Sequence, residues 1–396
     1  MKQLTHISGF LGLQRSIVGL LSMVILVDLG ERMGERFLPL YLIALGGGVL
    51  SVGLLNGMDN LLSALYAFPG GYLSDRLGVK RALFVFNLIA IAGFLLVAFV
   101  PTWPAVIAGA ALFIAWSAIS QPATVSLISR VLPASKRTMG VSMHSIIRRL
   151  PRAIGPLAGG LLINRYGLHD GVHYAFLGAA AAGVVSLLLQ QWLIEDTRPR
   201  QHHEAPTASP IRLLREMCPA LRLLLVSDIL VRFCEQIPYA FMIIWAMQTI
   251  AHPVNAFQFG LLTAIEMATA ILVYIPVAHF ADQGEKKPFV LVTFVFFTLF
   301  PLVLLFCQSF SLLVLAFILR GLKEFGEPTR KALIVDLCPE GNQAATFGAY
   351  YLARDLIVSI AAFGGAALWA VSPATNLLAA FAFGVIGTAW YAVKGR

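Results

Sequence analysis

Long apolar runs fill almost the whole chain, and short polar gaps separate them. The runs are close in length to the roughly 20 residues that a helix needs to cross a bilayer, so they predict membrane-spanning helices. We predict twelve spans, at residues 17–45, 51–73, 81–101, 104–131, 138–164, 172–194, 218–248, 256–281, 288–308, 311–335, 343–370 and 374–393. The pattern therefore indicates an all-α membrane protein.

One long polar stretch interrupts this pattern. Residues 195–216, EDTRPRQHHEAPTASPIRLLRE, are rich in Pro, His and charge, a composition typical of a linker. We predict an N-terminal six-helix bundle at 1–194, a cytoplasmic linker at 195–216 and a C-terminal six-helix bundle at 217–396.

The two halves repeat each other. Glycine, proline and acidic positions recur at a constant offset of 207 residues: Gly53 with Gly260, Asp59 with Glu266, Pro69 with Pro276, and Asp75 with Asp282. At an offset of 200 residues, Asp28, Arg32 and Glu35 match Asp228, Arg232 and Glu235. Two pseudo-symmetric halves are common in secondary transporters, which place their site near the bilayer midplane between the repeats.

The charge distribution agrees with a membrane protein. The chain is 58% hydrophobic and 12% charged, whereas soluble domains are about 25% charged. Lys and Arg collect in every second gap between spans, which predicts that both termini are cytoplasmic and that the protein is multi-pass in the cytoplasmic (inner) membrane. The net charge of +9 thus reflects topology, and we expect no nucleic-acid partner.

The gap after the second span carries the string Gly71-Tyr-Leu-Ser-Asp75-Arg76-Leu-Gly78-Val-Lys80-Arg81. It resembles the loop signature of the major facilitator superfamily. The resemblance implies two six-helix bundles that rock about a central cavity lined by spans one, four, seven and ten. It also implies that Asp75 latches one conformation, and that the rest of the latch comprises Gly71, Arg76, Gly78, Lys80 and Arg81.

The fifth span contains Gly155-Pro156-Leu-Ala-Gly159-Gly160. Small residues let helices approach closely in lipid, so we predict a helix-packing motif. It resembles the end of the antiporter signature of exporters in the same superfamily, which favours export over import. Pro151 departs from that signature, and Ala110 stands where these exporters usually carry an Arg.

Charged residues also occur inside the spans, where each costs about 2.5–3.5 kcal/mol at the bilayer centre. The five on the first span share one arc of about 140°, so they must face a wet or mutually paired interior. Each acid with a nearby Arg is either a static ion pair or a switchable one that couples a proton. The candidate substrate and proton-coupling residues are Asp28, Glu31, Arg32, Glu35, Arg36, Asp59, Arg148, Arg149, Arg152, Asp228, Arg232, Glu235, Glu266, Arg320, Lys323, Glu324, Glu327 and Arg354.

The first-span string Glu31-Arg-Met-Gly-Glu35-Arg36 resembles the ExxER motif of proton-coupled oligopeptide transporters, with one extra residue in the spacing. The string Asp28-Leu-Gly-Glu31-Arg32 restores the spacing, with Asp for the first Glu. The resemblance implies proton coupling and does not imply a peptide substrate.

These features predict a secondary transporter that moves a small polar or charged solute, anionic or zwitterionic, by proton-coupled alternating access. The sequence carries no metalloprotease, nucleophile-elbow or phosphate-loop motif, so we expect no enzyme activity. We expect a monomer whose partners are the solute, protons and the bilayer, with no metal or cofactor and a proton gradient as the energy source. Two alternatives stay open: a multidrug efflux proton antiporter for lipophilic compounds, and a non-transporting sensor or assembly factor on the same scaffold.

The variant Asp75→Asn tests the latch, because it removes the charge and keeps the side-chain size. We expect it to reduce solute movement in proteoliposomes. Unchanged movement would count against the latch.

Overall fold

The computed structural model describes residues 15–77, 79–114, 116, 149–193, 210–281, 286–339 and 343–395. Helices α1 to α6 belong to the first half of the sequence: α1 Arg15–Glu35, α2 Leu38–Ala44, α3 Gly48–Leu77, α4 Val79–Phe99, α5 Trp103–Ile114 and α6 Arg149–Leu193. Helices α7 to α14 follow: α7 Pro210–Glu216, α8 Pro219–Gln236, α9 Ala256–Ala281, α10 Lys286–Phe306, α11 Phe310–Leu322, α12 Glu327–Asp336, α13 Gln343–Val371 and α14 Pro373–Lys394. Between α8 and α9, a helical turn at Met242–Ile244 continues into a π-helical turn at Trp245–Thr249.

Within the described ranges, seven helical segments are long and apolar enough to cross a membrane. They lie in α3, α4, α6, α9, α10, α13 and α14. The segment in α6 covers residues 149–164 of the predicted span 138–164 and residues 172–193 of the predicted span 172–194. Its backbone breaks at Gly167, where φ is 84°, a value that favours glycine. The count of twelve spans and the side of the termini stay predictions.

Three predicted spans are broken where the sequence analysis expected continuous helix. The span at 17–45 divides between Glu35 and Leu38, the span at 218–248 ends its first helix at Gln236, and the span at 311–335 divides between Leu322 and Glu327. Proline explains two of the breaks. Pro238 follows the end of α8, and Pro328 occupies the first turn of α12, where its missing N–H costs nothing.

The predicted linker is partly helical. Its last seven residues form α7, while residues 194–209 lie outside the described chain. Leu213 and Met217 anchor this segment by packing into an apolar core with Leu221 and Leu224 of α8. On the exposed side, a 2.7 Å hydrogen bond to Glu216 raises the pKa of Arg212.

The chain divides into two compact units. Unit 1 contains Met1–Tyr41 and Leu65–His203, and unit 2 contains Leu42–Ala64 and Glu204–Arg396. Residues 42–64, which include the first part of α3, group with the second half of the sequence. Asn56 and Asn60 hold this part of α3 by donating hydrogen bonds to the backbone oxygen (2.9 Å) and side-chain oxygen (3.2 Å) of Gln236. The predicted domain boundaries at 194 and 217 stay a prediction.

In unit 1, α6 packs against α1 and α4. All four residues of the predicted packing motif, Gly155, Pro156, Gly159 and Gly160, are buried. The closest approach is at Gly159, where a Cβ atom would lie 1.8 Å from the carbonyl oxygen of Met33 in α1. In unit 2, α8 packs against α13 and α14, α10 against α14, and α9 against α11.

We expect Gly159→Ala to lower the thermal stability of the purified protein. The added methyl group must push α1 away, and overpacking of this kind costs about 1–3 kcal/mol. Thermal unfolding in detergent measures the change.

The matched control is Gly348→Ala, in helix α13, where a Cβ atom meets nothing within 4 Å. This control should keep or slightly raise the melting temperature, because Ala is the better helix former. Equal melting temperatures for the two variants would contradict the close approach of α1 and α6.

Candidate functional site

The charged residues of α1 form a compact group in unit 1. Asp28 and Glu31 are buried. Arg32 lies 3.8 Å from Glu31 and donates a hydrogen bond to Glu35. Arg36 and Arg152 are close enough to attract the Glu35 carboxylate. The packing of Gly155 against Arg32 therefore brings the basic start of α6 to the acidic face of α1.

The other predicted residues of the first half are placed as follows. Arg149 is half-buried in the first turn of α6, Arg152 is exposed, and Arg148 lies outside the described residues. Asp59 is half-buried on the part of α3 that belongs to unit 2. The structure thus brings Arg152 to the α1 group.

Of the predicted latch, Gly71, Asp75 and Arg76 lie in the last turns of α3, and Gly78 is outside the described residues. Lys80 donates from Nζ to the backbone oxygen of Gln191, 3.1 Å away, and Arg81 is exposed on α4. The latch role of these residues stays a prediction.

Unit 2 holds a longer arrangement, which we name the ion-pair chain. It is a continuous series of ten side chains in which cations and carboxylates alternate. In order along the series, they are Arg320, Glu266, Lys323, Glu235, Arg232, Glu327, Arg330, Asp228, Arg354 and Asp355. Because the ten members come from α8, α9, α11, α12, α13 and the turn after α11, the ion-pair chain ties most of the unit together.

The first part of the ion-pair chain centres on Lys323. Its Nζ lies 2.5 Å from Glu235 and 3.7 Å from Glu266. Glu266 also lies 3.2 Å from Arg320, and Glu235 lies 2.5 Å from Arg232. Each of these carboxylates is therefore shared between two cations, which lowers the cost of burying it.

The second part of the ion-pair chain centres on Asp228. This carboxylate receives a hydrogen bond from Arg330, lies 3.4 Å from Arg354, and accepts a 3.1 Å bond from the Tyr350 hydroxyl. Its side chain is only 1% exposed. At the end of the series, Arg354 lies 2.7 Å from Asp355, whose side chain is 32% exposed.

Glu327 joins the two parts. It lies 2.6 Å from Arg330 and 3.7 Å from Arg232, and Lys331 reaches it at 3.4 Å. Glu324, another predicted site residue, lies in the turn between α11 and α12. Arg232 contacts Glu235 through Nη1 and Glu327 through Nη2, so a single guanidinium connects the two parts.

Aromatic rings surround the cations of the first part. The Arg320 guanidinium lies 5.3 Å from the Phe300 ring, 5.5 Å from Tyr239 and 6.0 Å from Phe317. The Phe297 ring lies 5.3 Å from Arg232 and 5.4 Å from Lys323. Such contacts contribute about 0.5–2 kcal/mol each and favour keeping these side chains charged.

The first part of the ion-pair chain lies within the predicted spans, well away from the helix starts. Lys323 follows the start of α11 by 13 residues, a helical rise of about 20 Å, and Glu266 follows the start of α9 by 10 residues, about 15 Å. The hydrocarbon core is about 30 Å thick. Lys323 and Glu266 therefore lie well inside their predicted spans, and so does Asp228, which follows the start of α8 by nine residues, about 14 Å.

Three side chains of this network, Arg330, Tyr350 and Asp355, are absent from the candidate residues of the sequence analysis. Arg330 follows Glu327 by three residues, a spacing that lets side chains of opposite charge meet on a helix, so a signal was present. Tyr350 offered none, because it contacts Asp228 across a separation of 122 residues.

The repeat seen in the sequence is also visible in the geometry. Arg32 bonds Glu35 through Nη1 and Oε2, and Arg232 bonds Glu235 through the same two atoms. Positions that match at an offset of 200 residues therefore form the same local ion pair in each unit.

Comparison with known proteins identifies the class. A family model described as the Major Facilitator Superfamily matches residues 13–251, more than half of the chain. The chain therefore belongs to the major facilitator superfamily, which confirms the predicted superfamily and the all-α membrane class. It is a multi-pass membrane transporter rather than an enzyme.

Individual relatives are more distant. An uncharacterized MFS-type transporter of Methanocaldococcus jannaschii is 22% identical over 362 residues, covering 89% of this chain and 87% of that one. The multidrug efflux pump LfrA of Mycolicibacterium smegmatis is 28% identical over 198 residues, covering 49% of this chain and 33% of the pump. The crystal structure of a peptide transporter, POT, in complex with sulfate has a TM-score of 0.77 at 16% identity, covering 97% of this chain and 95% of that one. The similarity to the POT crystal structure shows a shared fold.

We expect Asp228→Asn to destabilise the protein strongly. It removes one of the two acidic partners of each buried cation, so that Arg330 keeps only Glu327 and Arg354 keeps only Asp355. Breaking a buried ion pair on one side costs about 3–5 kcal/mol, which is the upper bound for this loss. Thermal unfolding of the purified protein measures the loss.

The matched control is Asp336→Asn in α12, because Asp336 is 56% exposed and pairs with Lys286 outside the ion-pair chain. An exposed pair contributes about 0–1 kcal/mol, so the melting temperature should barely move. Similar losses in both variants would contradict the structural importance of the buried pair.

Proposed function

We propose that this protein is a proton-coupled secondary transporter for a small zwitterionic or anionic solute, which it exports across the cytoplasmic membrane by alternating access. It works as a monomer without a bound cofactor and draws on the proton gradient. The observation that supports this proposal best is Lys323, which is shared between two buried carboxylates within the predicted spans.

The charge balance of the network supports an acidic group on the solute. The first part of the ion-pair chain contains three cations, Arg320, Lys323 and Arg232, and two carboxylates, Glu266 and Glu235. Ionised throughout, the group carries one excess positive charge. A carboxylate or similar anion that binds near Lys323 and Arg320 would neutralise this charge.

In this proposal, Glu235 is the residue that takes up and releases the coupled proton. Its carboxylate lies between Lys323 and Arg232, and protonating it removes one partner from each cation. Lys323 then keeps Glu266, and Arg232 keeps Glu327. Neither cation is stranded, so the network can exist in both protonation states, as a switchable ion pair requires.

A zwitterion connects this proton site to export. Its anionic group would bind the cations Lys323 and Arg320, while its ammonium group would compete with the proton for Glu235. Competition between solute and proton gives antiport, the mode favoured by the resemblance of the Gly155–Gly160 motif to the antiporter signature. A purely anionic solute would instead bind together with the proton, which gives symport and import, so the export part of the proposal applies to the zwitterion.

A second candidate is multidrug efflux of lipophilic compounds. The partial similarity to the pump LfrA and the aromatic rings of Tyr239, Phe300 and Phe317 support it. These rings, however, lie around Arg320, which is itself buried and charged. A site for neutral lipophilic compounds has no use for that charge, so the polar solute is the better fit.

We expect an imposed pH gradient to drive flux of a zwitterionic amino acid, opposite to the proton flow, through purified protein in liposomes. We expect Glu235→Gln to abolish this dependence of the flux on the pH gradient. The amide cannot gain or lose the proton, yet it still accepts hydrogen bonds from Lys323 and Arg232. Flux of four labelled probes measures the selectivity: an amino acid, a dicarboxylate, sulfate and a lipophilic cationic dye.

Glu216→Gln, an exposed acid on α7, is the matched control and should behave like the unmodified protein. Flux indifferent to the pH gradient would refute the proton coupling. Movement of the dye alone would favour the multidrug function.

A further inference from the structure

We propose that the surface groove between α8 and α14 binds an anionic phospholipid, whose phosphate group lies at Arg222 and Lys394. This inference concerns the lipid-facing surface of unit 2, so it does not depend on the identity of the solute or on proton coupling. Three observations carry it: the register of the two helices, the cations at one end of the groove, and the apolar side chains along it.

The register of α8 and α14 follows from two close contacts. A Cβ atom on Gly384 of α14 would lie 2.9 Å from Sγ of Cys234 in α8, and one on Gly387 would lie 2.8 Å from Cβ of Leu230. Residue numbers fall along α8 as they rise along α14, so the two helices are antiparallel. The start of α8 therefore lies beside the end of α14, both on the predicted cytoplasmic side.

This register brings two cations to the same end of the groove. Lys394 follows Gly387 by seven residues, a helical rise of about 10 Å. The same rise from Leu230 toward the start of α8 reaches Leu223, which is next to Arg222. Arg222 and Lys394 are both exposed, so their long side chains can meet a ligand at the mouth of the groove.

The positive charge at this end is not balanced by acids of the protein. Arg212 on α7 pairs with Glu216. In the part of unit 2 that the structure describes, neither Arg222 nor Lys394 has a carboxylate partner. Arg222 instead donates to the backbone oxygen of Arg215, a third exposed cation in the last turn of α7. Two helix ends and α7 thus form a basic corner that attracts an anion.

A tryptophan beside these cations points to the level of the lipid headgroups. Nζ of Lys394 lies 4.0 Å from the centre of the Trp390 ring, and Trp is enriched where a span meets the membrane surface. Nε1 of Trp390 is buried and donates to no acceptor among the described residues. A buried indole N–H usually has an acceptor. A phosphate or ester oxygen of a phospholipid would accept this hydrogen bond.

Beyond the cations, the groove is apolar for the depth of one leaflet. Val226, one turn after Arg222, is 44% exposed, and Ile386, one turn before Trp390, is 54% exposed. Further along, the rings of Phe233 and Phe383 meet across the two helices, 5.2 Å apart. Phe383 precedes Lys394 by 11 residues, about 16 Å. Half of the hydrocarbon core is about 15 Å thick, so an acyl chain fits between the basic corner and the two rings.

An anionic phospholipid matches both parts of this surface. Its phosphate carries the negative charge that the basic corner lacks, and its acyl chain covers the exposed apolar side chains. A zwitterionic phospholipid brings its own cation to the corner, which weakens the attraction. A soluble phosphate compound would use the corner and leave the apolar part of the groove uncovered.

Titration of the purified full chain with phosphatidylglycerol, followed by native mass spectrometry from detergent, tests the site. We expect Arg222→Gln and Lys394→Gln each to lower the affinity about fivefold, and the double variant about 25-fold, because each cation contributes separately to binding an anionic surface. Trp390→Phe keeps the ring and removes the donor, so it should cause a smaller loss. Affinity for phosphatidylcholine should not change in any of these variants.

Two controls match these changes. Lys286→Gln removes the same charge at the start of α10, where Lys286 pairs with Asp336. Trp192→Phe makes the same change at an exposed tryptophan near the end of α6. Both should bind phosphatidylglycerol as the unmodified protein does. Because Arg222 and Lys394 are exposed, the double variant should also keep its melting temperature in phosphatidylcholine, which shows that it is folded.

Three outcomes would overturn the proposal. The first is an unchanged phosphatidylglycerol affinity in the double variant. The second is equal binding of phosphatidylglycerol and phosphatidylcholine by the unmodified protein. The third is displacement of phosphatidylglycerol by an equal concentration of glycerol 1-phosphate, which would make the corner a site for a soluble anion. None of these results bears on solute flux, so the proposed function is tested separately.

Discussion

The cost of charge in a medium of low polarity governs this protein. A buried carboxylate or guanidinium is tolerated only when an opposite charge and hydrogen bonds replace its water, and the penalty rises toward the centre of the bilayer. In unit 2 the ion-pair chain meets this requirement, because every inner member contacts two side chains of opposite charge. Losing one partner to a proton then leaves the other in place. A network built this way tolerates the loss of one charge, which the proposed protonation of Glu235 requires.

The breaks in the helices serve this arrangement. Helix α11 ends at Leu322 and α12 begins at Glu327, so Lys323 comes from the intervening turn rather than from a continuous helix. Helix α8 ends at Gln236, one residue after Glu235. Near such breaks, the geometry of a regular helix no longer dictates side-chain directions. Lys323 can therefore reach both Glu235 and Glu266. Irregular backbone inside a membrane span is tolerated where protein covers it.

Close packing of small residues has a comparable role in unit 1. Gly155 and Gly159 have no side chain to separate α6 from Arg32 and Met33. The basic start of α6 therefore comes near Glu35. Both units contain an Arg–Glu ion pair at matched positions. In unit 2 this pair is part of the ion-pair chain, whereas in unit 1 it is surrounded by the compact group of charged residues on α1 and the start of α6. The two halves of the sequence have thus kept the Arg–Glu pair and diverged in the charged side chains around it.

Much of this could be read from the sequence for physical reasons. Lipid imposes long apolar runs, so the membrane class was visible, and the motif at Gly71–Arg81 pointed to the superfamily that the comparison confirms. A charge inside an apolar run is conspicuous, so Asp228, Arg232, Glu235 and Glu266 could be identified as candidates. The pairing of these charges depends on which helices touch and where a helix breaks. Asp228 meets Arg330 across 102 residues and Tyr350 across 122. Helical periodicity places a residue on a face of its own helix, and only the tertiary structure decides what that face meets.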